Sequence, residues 1–476
     1  MSDEIALVAK MVAWSEGRAV PCATRRSVAV RSDAWALSTI ALAGHDHTVQ
    51  AVALGPIGGE PAVRVLVEPR PWVALREMLT WIAQKIVPWF EDCARREVYP
   101  QLWVPSEGVA GHLGLLADLH RFSTDDTLRA LGRCLAHLTE RGPVEGQQSL
   151  VVATSALTQH WTTGQSPEDD AHLGKLLAWI DRPAGVSLAD ALAMAEEIPA
   201  GNKTDPELDR AVIHPALEAI SEARHKGSSG YPAAERRVRE AVEPLVRATW
   251  AATARTHGVL GRRLVPMPSL TDMEVREREV FAHWCDGNEK AIPMPLRDGP
   301  KAAAFRLVTR EDSLDQLEAA RVHEDAVARA RAMAEGRVVE GTVSDLVVTK
   351  QGRATRVEFS VETTQGLLRV RPGDALSWLD DPRMEVSVTA VRRVGPRTTV
   401  RVRMTAGMRA LPPPVEGETR VWGPKPPSWR WLHMQRKQMK ARLAVMPWTH
   451  VDGTPPATPR GGPRPKDLLA AVEGLR

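Results

Sequence analysis

The spacing of apolar side chains changes after Gly336, and this change places the tightest limit on the fold. Residues 309–335 are alanine-rich, alternate acids with bases and hold few large apolar side chains, which predicts a long helix that stands out as an arm. After Gly336, apolar and polar residues alternate as they do along β-strands. Five strands are predicted, joined by short turns, at residues 337–348, 353–363, 366–371, 384–393 and 397–405. Five short strands in so few residues are typical of a small closed barrel of the OB or SH3-like kind.

The rest of the chain combines a small sheet with many helices. Residues 3–16 have helical spacing, and residues 26–67 contain short β-branched runs between turn residues, which predicts a small antiparallel sheet. From Trp72 onward the spacing is helical again. We therefore expect an α+β multidomain protein with a β-containing N-terminal domain, an all-helical middle, a helical arm, the barrel and a basic proline-rich tail, at residues 1–105, 106–308, 309–336, 337–410 and 411–476.

Capping patterns mark where several helices of the middle segment begin. Ser166, Ser187 and Asp205 each precede a proline or an acidic first turn, as N-cap residues do. After Thr124, leucines recur every three or four positions. This spacing predicts a helix whose buried face consists of Leu128, Leu131, Leu135 and Leu138.

Charge is distributed unevenly along the 476 residues. The net charge is only +3, but residues 391–476 hold 17 Lys/Arg and 5 Asp/Glu, a surplus of 12 positive charges. The first 390 residues therefore carry a net charge of −9. An acidic body with a basic end is suited to binding a polyanion at one place.

Cysteine usage and hydropathy predict a cytoplasmic protein with no membrane partner. The four cysteines occur singly, without a CxxC pair, which disfavours both a disulfide framework and a thiolate zinc site. The first ten residues, MSDEIALVAK, carry acids where a signal peptide needs bases. No apolar stretch reaches the roughly 18 residues that a membrane-spanning helix requires.

Motifs of known catalytic or cofactor chemistry are incomplete in this chain. AGNKTD at 200–205 has a Lys-Thr pair but lacks the earlier glycine of a phosphate-binding loop. KGSSGYP at 226–232 does not fit the serine-hydrolase pattern GxSxG. GHDH at 44–47 and Asp380-Asp381-Pro382 are interpreted as turns, because no further metal ligands accompany them. We therefore predict no catalytic residue, no metal site and no cofactor.

Arginines occupy alternate positions in two predicted strands. In LLRVR, Arg369 and Arg371 alternate with aliphatic residues, and in VRVRM, Arg401 and Arg403 do the same. Because successive side chains of a strand point to opposite faces, each strand is predicted to bury its aliphatic side chains and expose a pair of arginines. Further arginines follow at the connecting turn, namely Arg392, Arg393 and Arg397. Rows of guanidinium groups suit phosphate contacts and also stack on bases.

Residues 425–442, KPPSWRWLHMQRKQMKAR, are the one helical piece predicted in the tail. Three interpretations compete: a helix on a membrane surface, a nucleic-acid grip, and a structural helix that packs against the 309–335 arm. The last two are compatible, because a packed helix leaves its charged face free. For the grip, stacking tryptophans and phosphate-binding cations are available at Trp429, Arg430, Trp431, Arg436, Lys437 and Lys440.

The order of elements from 309 to 446, a long helix, a small barrel and a returning helix, is similar to the stalk-and-barrel accessory module of one group of superfamily 1 helicases. In that family the module guides a single strand across the motor. The likeness is one of architecture, and neither a Walker A sequence nor a DExx box lies on either side of it. Membership of that family is therefore not inferred.

Together these patterns predict a non-catalytic subunit that binds nucleic acid, DNA or RNA, as a single strand. We expect it to act beside a separate helicase or nuclease, in an antiviral defence or repair complex. Two alternatives remain open. One is a metal-dependent nuclease with scattered carboxylates, and the other is an assembly scaffold whose acidic helical middle binds protein partners.

Overall fold

A computed structural model describes residues 2–42, 48–68, 71–226, 231–290, 299–351, 354–408, 413–426 and 429–445. The helices are α1 (Ser2–Glu16), α2 (Trp72–Arg95), α3 (Glu107–His120), α4 (Asp126–Arg141), α5 (Ala153–Thr158), α6 (Pro167–Asp170), α7 (Leu173–Ile180), α8 (Leu188–Ala195), α9 (Pro206–Leu208), α10 (His214–Lys226), α11 (Tyr231–Arg263), α12 (Leu270–Glu289), α13 (Pro300–Glu324), α14 (Ala326–Ala334) and α15 (Trp429–Val445). A π-helical turn, Asp209–Ile213, joins α9 to α10.

The strands are β1 (Val20–Pro21), β2 (Arg25–Arg26), β3 (Trp35–Ile40), β4 (Ala51–Pro56), β5 (Ala62–Val65), β6 (Leu102–Val104), β7 (Leu150–Val152), β8 (Trp161–Thr162), β9 (Val265–Pro266), β10 (Val339–Gln351), β11 (Ala354–Thr363), β12 (Ala375–Trp378), β13 (Glu385–Val394), β14 (Arg397–Ala406) and β15 (Thr419–Pro424). The chain divides into two compact units, Met1–Ile292 with Ser313–Pro426, and Pro293–Asp312 with Pro427–Arg476.

The N-terminal sheet has five strands in the order β5-β4-β3-β6-β7; its strands within residues 26–67 pair antiparallel as predicted, and two later strands make the whole sheet mixed. β3, β4 and β5 pair antiparallel through short connections, whereas β6 and β7 join parallel to their neighbours. Parallel pairing needs a long crossover, and helix α2 before β6 and helices α3 and α4 before β7 supply it. Because β7, β8 and β9 lie within residues 106–308, the prediction of an all-helical middle is wrong.

Helix α11 covers one face of this sheet. Val238, Val242, Val246 and Trp250 recur every four residues along it and are buried in the main core. The facing strands contribute alanines, which let the helix approach closely, and the Trp250 indole N–H donates to the Ala36 carbonyl at 3.0 Å. Burial of this apolar stripe is the main stabilising term for the helix, since burial contributes about 25 cal/mol per Å² of apolar surface.

The predicted helix starts of the middle segment are confirmed. The side chains of Ser166, Ser187 and Asp205 accept hydrogen bonds from backbone N–H groups in the first turns of α6, α8 and α9. In α4 the predicted leucine stripe is buried. These features depend on interactions within about four residues, which is why spacing alone identified them.

The predicted arm, residues 309–335, is two helices that pack against their surroundings. The chain breaks at Asp325, which caps α14 by accepting hydrogen bonds from the N–H groups of Val327 and Ala328 at 2.9 and 3.0 Å. Its other carboxylate oxygen accepts from the backbone of Thr24 and Arg25 at 2.6 and 2.7 Å. The Asp325 side chain therefore caps the start of α14 and ties that helix to the N-terminal part of the chain.

The inner faces of these two helices are buried, so the expectation of a free-standing arm is wrong for residues 313–334. Leu317 and Ala320 of α13 pack with Met267, Leu270 and Met273. Val322 and Ala332 form a second cluster with Val338 and Leu379 of the barrel region. Alanines make this possible, because their small side chains let helix backbones approach other elements closely.

The C-terminal barrel is closed and antiparallel, with six strands in the order β10-β11-β14-β13-β12-β15. Four of the five predicted strands correspond to β10, β11, β13 and β14. Their inward side chains form a core that includes Phe359, Val402 and Trp422. The alternation of aliphatic and polar residues thus located the barrel correctly.

Two features of the barrel differ from the prediction. Residues 366–371 are not a strand, and the fifth and sixth strands are instead β12 and β15. β15 lies within residues 411–476, which were predicted to be a tail, because prolines on both sides concealed a six-residue strand. Its Arg420 is 4% exposed and lies over the Trp378 ring at 4.2 Å, an inward arginine that alternation of apolar residues does not reveal.

Within the ranges that the structure describes, none of the helices combines the length and apolar character that crossing a bilayer demands.

Candidate nucleic-acid interface

The β13–β14 hairpin carries most of the predicted barrel arginines. Register places Arg392 opposite Thr399 and Val394 opposite Arg397. Glycine provides the positive backbone φ of +59° that the turn needs at Gly395. Alternate residues of the hairpin fill the barrel core, so the remaining side chains point to solvent.

The tip of this hairpin meets the loop at 366–371. The guanidinium of Arg393 donates to the Gly366 carbonyl at 3.2 Å, and the side chains of Arg392, Arg393 and Arg397 are exposed. This hydrogen bond joins the hairpin that carries Arg392, Arg393 and Arg397 to the loop that carries Arg369 and Arg371.

The loop exposes Arg369 and Arg371 and buries Val370, as predicted, although it is not a strand. Its backbone N–H groups bond elsewhere. That of Arg369 donates to the Gly336 carbonyl at 2.8 Å, and that of Arg371 to the Asp374 carboxylate at 2.7 Å. The assignment of a strand is wrong because these donors are used outside any ladder.

We call the five exposed arginines of the hairpin tip and of the adjoining loop the barrel-end arginines: Arg369, Arg371, Arg392, Arg393 and Arg397. Across the described ranges, none of the five forms an ion pair with a carboxylate. An exposed guanidinium without a carboxylate partner keeps its full charge for a ligand.

Arg401 and Arg403 also face outward, but both form hydrogen bonds or ion pairs with other residues of the barrel. Arg403 forms an ion pair with Glu358 of the neighbouring strand at 2.9 Å, and Arg356 binds the same carboxylate at 2.6 Å. The hydrogen bonds from Arg403 and Arg356 lower the pKa of Glu358. Arg401 donates to the carbonyl of Asp345 at 3.0 Å. These two arginines are therefore less available than the barrel-end arginines.

Glu358 was missed in the sequence because its role depends on strand register. Alternation places its side chain outside the barrel, but only the pairing of β11 with β14 sets it opposite Arg403, 45 residues away. The sequence did offer one indication: Glu358 occupies an outward position of a predicted strand, and a carboxylate there can pair with an outward arginine of a neighbouring strand.

Residues 429–445 form the helix α15, as predicted, and two of its cations contact α13. Arg436 pairs with Asp312 at 3.4 Å, and the Lys440 ammonium lies 4.9 Å from the centre of the Phe305 ring. Lys437 is exposed. Trp429, Arg430 and Trp431 belong to the helix, and their side chains lie outside the described residues. The two contacts agree with the interpretation of a packed helix. They also engage Arg436 and Lys440, two of the residues predicted to contact nucleic acid.

The incomplete motifs are placed as follows. Residues 200–205 lead into α9, where Thr204 donates its backbone N–H to the Ala41 carbonyl and Asp205 caps the helix. Asp381 holds a turn by accepting from the backbone and side chain of Arg383. Among the described residues no group of three or more potential ligands could hold a metal ion. His45 and His47, and residues 227–230 of the KGSSGYP stretch, lie outside the described residues.

Neither a protein-family model, nor a curated protein, nor a solved structure matches this chain.

Proposed function

We propose that this protein binds single-stranded nucleic acid without cleaving it, through the barrel-end arginines. The observation that carries the proposal is the gathering of five exposed guanidinium groups without carboxylate partners, from two segments that Arg393 joins at Gly366. Phosphate oxygens are strong acceptors for such groups, and guanidinium planes also stack on bases.

The shape of the hairpin supports a single strand over a duplex. Val394 is 61% exposed at the tip, beside the turn formed by Gly395 and Pro396. An apolar tip between arginines offers a surface for unpaired bases, which a duplex keeps stacked inside. The barrel is proposed to act as OB-fold and SH3-like barrels do, by presenting one charged surface to the strand.

The partner is proposed to be a separate helicase or nuclease that performs the chemistry. The sequence of this chain lacks a complete phosphate-binding loop, so translocation on a strand would need another subunit. Helix α15 is proposed as a separate set of nucleic-acid contacts, with Trp429, Arg430, Trp431 and Lys437 most directly involved.

The test is binding of a fluorescent 24-nucleotide single strand, as DNA and as RNA, measured by anisotropy between 50 and 200 mM salt. The variant R392Q/R393Q/R397Q removes three charges from the barrel end. The matched control, R210Q/R239Q/R247Q, also removes three charges, from exposed ion pairs on the helical body. A truncation after Pro426 keeps all six barrel strands and separates the contribution of α15.

Each phosphate contact contributes about 0.7 to the slope of log affinity against log salt for single strands. The barrel-end variant should therefore lower the slope by about 2, and the control should leave it unchanged. Equal binding by the variant, the control and the unmodified protein would refute the proposal. Magnesium-dependent loss of the labelled strand would instead favour the nuclease alternative. Absence of any binding would favour the scaffold.

A further inference from the structure

A cleft of about 1010 Å³ lies between the N-terminal part of the chain and helices α13 and α14. Much of its lining is aliphatic and comes from α1 and α14, including Ile5, Ala9 and Val327. Its charged lining consists of four arginines and three acids, namely Arg25, Arg321, Arg331, Arg337, Glu318, Asp325 and Glu335.

The charges of this lining do not cancel evenly. The Asp325 carboxylate is already occupied by donors from residues 24, 25, 327 and 328. Glu335 pairs with Arg331 at 3.0 Å and with Arg337 at 2.7 Å. The acids of the cleft are therefore largely engaged before any ligand enters.

Arg321 is a half-buried cation of the lining that these acids do not pair with. A single nitrogen of its guanidinium donates to the Ser27 hydroxyl and to the Gln159 side-chain oxygen, both at 3.1 Å. Within the described ranges no carboxylate forms an ion pair with Arg321 or with Arg25. Burial lowers the pKa of Arg321 despite nearby acids. A guanidinium that has only neutral partners and open N–H groups is suited to bind an anion.

Part of the cleft lining adjoins the 366–371 loop, which carries two of the barrel-end arginines. Glu335 and Arg337 line the cleft, and Gly336 lies between them with φ +76°. A Cβ at Gly336 would lie 2.9 Å from the Leu367 carbonyl oxygen, and the Gly336 carbonyl accepts from Arg369. The 366–371 loop is thus packed directly against the rim of the cleft.

We infer that the cleft continues the strand-binding surface, so that a single strand bound at the barrel end passes Gly336 and places phosphates against Arg321 and Arg25. This inference rests on the proposed function and specifies the path of the bound strand. The described lining includes no Trp, Tyr or Phe, and its His160 is only 1% exposed, so bases in the cleft contact mainly aliphatic side chains. In the cleft the protein therefore contacts the phosphate backbone and does not distinguish one base sequence from another.

The first test uses charge variants in the anisotropy assay. R321Q should lower the salt slope by about 0.7, so that the ratio of affinities at 50 and 200 mM salt falls about 2.6-fold. R25Q/R321Q should lower this ratio about 7-fold. R321K keeps the charge and should retain the slope, and R239Q/R247Q is the double control on exposed ion pairs.

The second test needs no variant and therefore does not depend on the folding of R321Q. A 24-nucleotide RNA that contains 4-thiouridine is cross-linked to the unmodified protein, and the attached peptides are mapped. Cross-links in residues 20–25 or 321–337 are expected in addition to cross-links at the barrel end.

The outcomes separate this inference from the proposed function. Cross-links confined to the barrel, with R25Q/R321Q binding as the double control does, would overturn the path through the cleft while the barrel-end variant still weakens binding. If the barrel-end variant also binds normally, both the path and the proposed function are wrong.

Discussion

Asp325 offers the most direct test of how the helix pair is attached to the rest of the chain. Its side chain is 2% exposed and accepts five hydrogen bonds. Two of these cap α14, and three come from the backbone N–H and hydroxyl of Thr24 and the backbone N–H of Arg25. D325A removes all of them together and leaves these donors, in partly buried surroundings, without their acceptor.

The expected cost follows from those contacts. A hydrogen bond to a charged group contributes about 1.5–3 kcal/mol, and an N-cap about 0.5–2 kcal/mol, but these contributions are not additive. One N-cap contribution together with one contribution from a charged hydrogen bond gives about 2–5 kcal/mol, which we take as the estimate for local opening. T24A removes only the hydroxyl donor, at 2.9 Å; because Thr24 is exposed, water can replace this bond, and the cost should lie below that range, at about 1 kcal/mol.

Hydrogen–deuterium exchange measures this local free energy. Amides of residues 24–26 and 326–334 should exchange about one and a half to three and a half orders of magnitude faster in D325A, since each 1.4 kcal/mol is a factor of ten. T24A should change them less than tenfold. Exchange in D325A within threefold of the unmodified protein would refute the assignment of Asp325 as the tie between these segments.

The same carboxylate predicts a pH dependence. Burial raises the pKa of Asp325, but hydrogen bonds from Ala328, Thr24 and Arg25 outweigh burial and hold the pKa below its ordinary value of 3.8. A group whose pKa is lowered by folding stabilises the fold above its unfolded pKa. Protection of these amides should therefore persist down to about pH 4 and fall as the pH drops further through the folded pKa. An equal loss in D325A over that range would contradict this.

Three further predictions concern other parts of the chain. G336A should lower the melting temperature and weaken strand binding, because φ is +76° and the added Cβ would lie 2.9 Å from the Leu367 carbonyl oxygen. G366A is the control and should do neither, because its Cβ would have no neighbour within 4 Å. Equal melting temperatures of the two variants by calorimetry would contradict this. E277A should cost about 3–5 kcal/mol in urea unfolding, because it leaves the largely buried Arg141 without its carboxylate partner; a loss under 1 kcal/mol would refute this. The purified protein should neither bind nor hydrolyse ATP, and turnover that survives repeated purification would disprove this.

The sequence alone determined those features that depend on neighbours within a few residues. The capping roles of Ser166, Ser187 and Asp205, the leucine stripe of α4 and the inward aliphatic residues of β14 were all predicted correctly. A cap bonds two or three residues ahead, and helix and strand periods repeat within one or two turns or pleats. Such signals are complete in a short stretch of chain.

Only the tertiary structure decided which arginines remain available and which strands close the barrel. Arg403 and Arg393 are both exposed, yet Arg403 meets Glu358 across the sheet and Arg393 meets the Gly366 carbonyl of the neighbouring loop. β15 joins β10 from some 80 residues away, and Asp325 reaches back about 300 residues to Thr24. The partner in each case depends on strand register and on how distant segments pack to bury their apolar faces. That choice belongs to the whole fold, because no short stretch of sequence contains both partners.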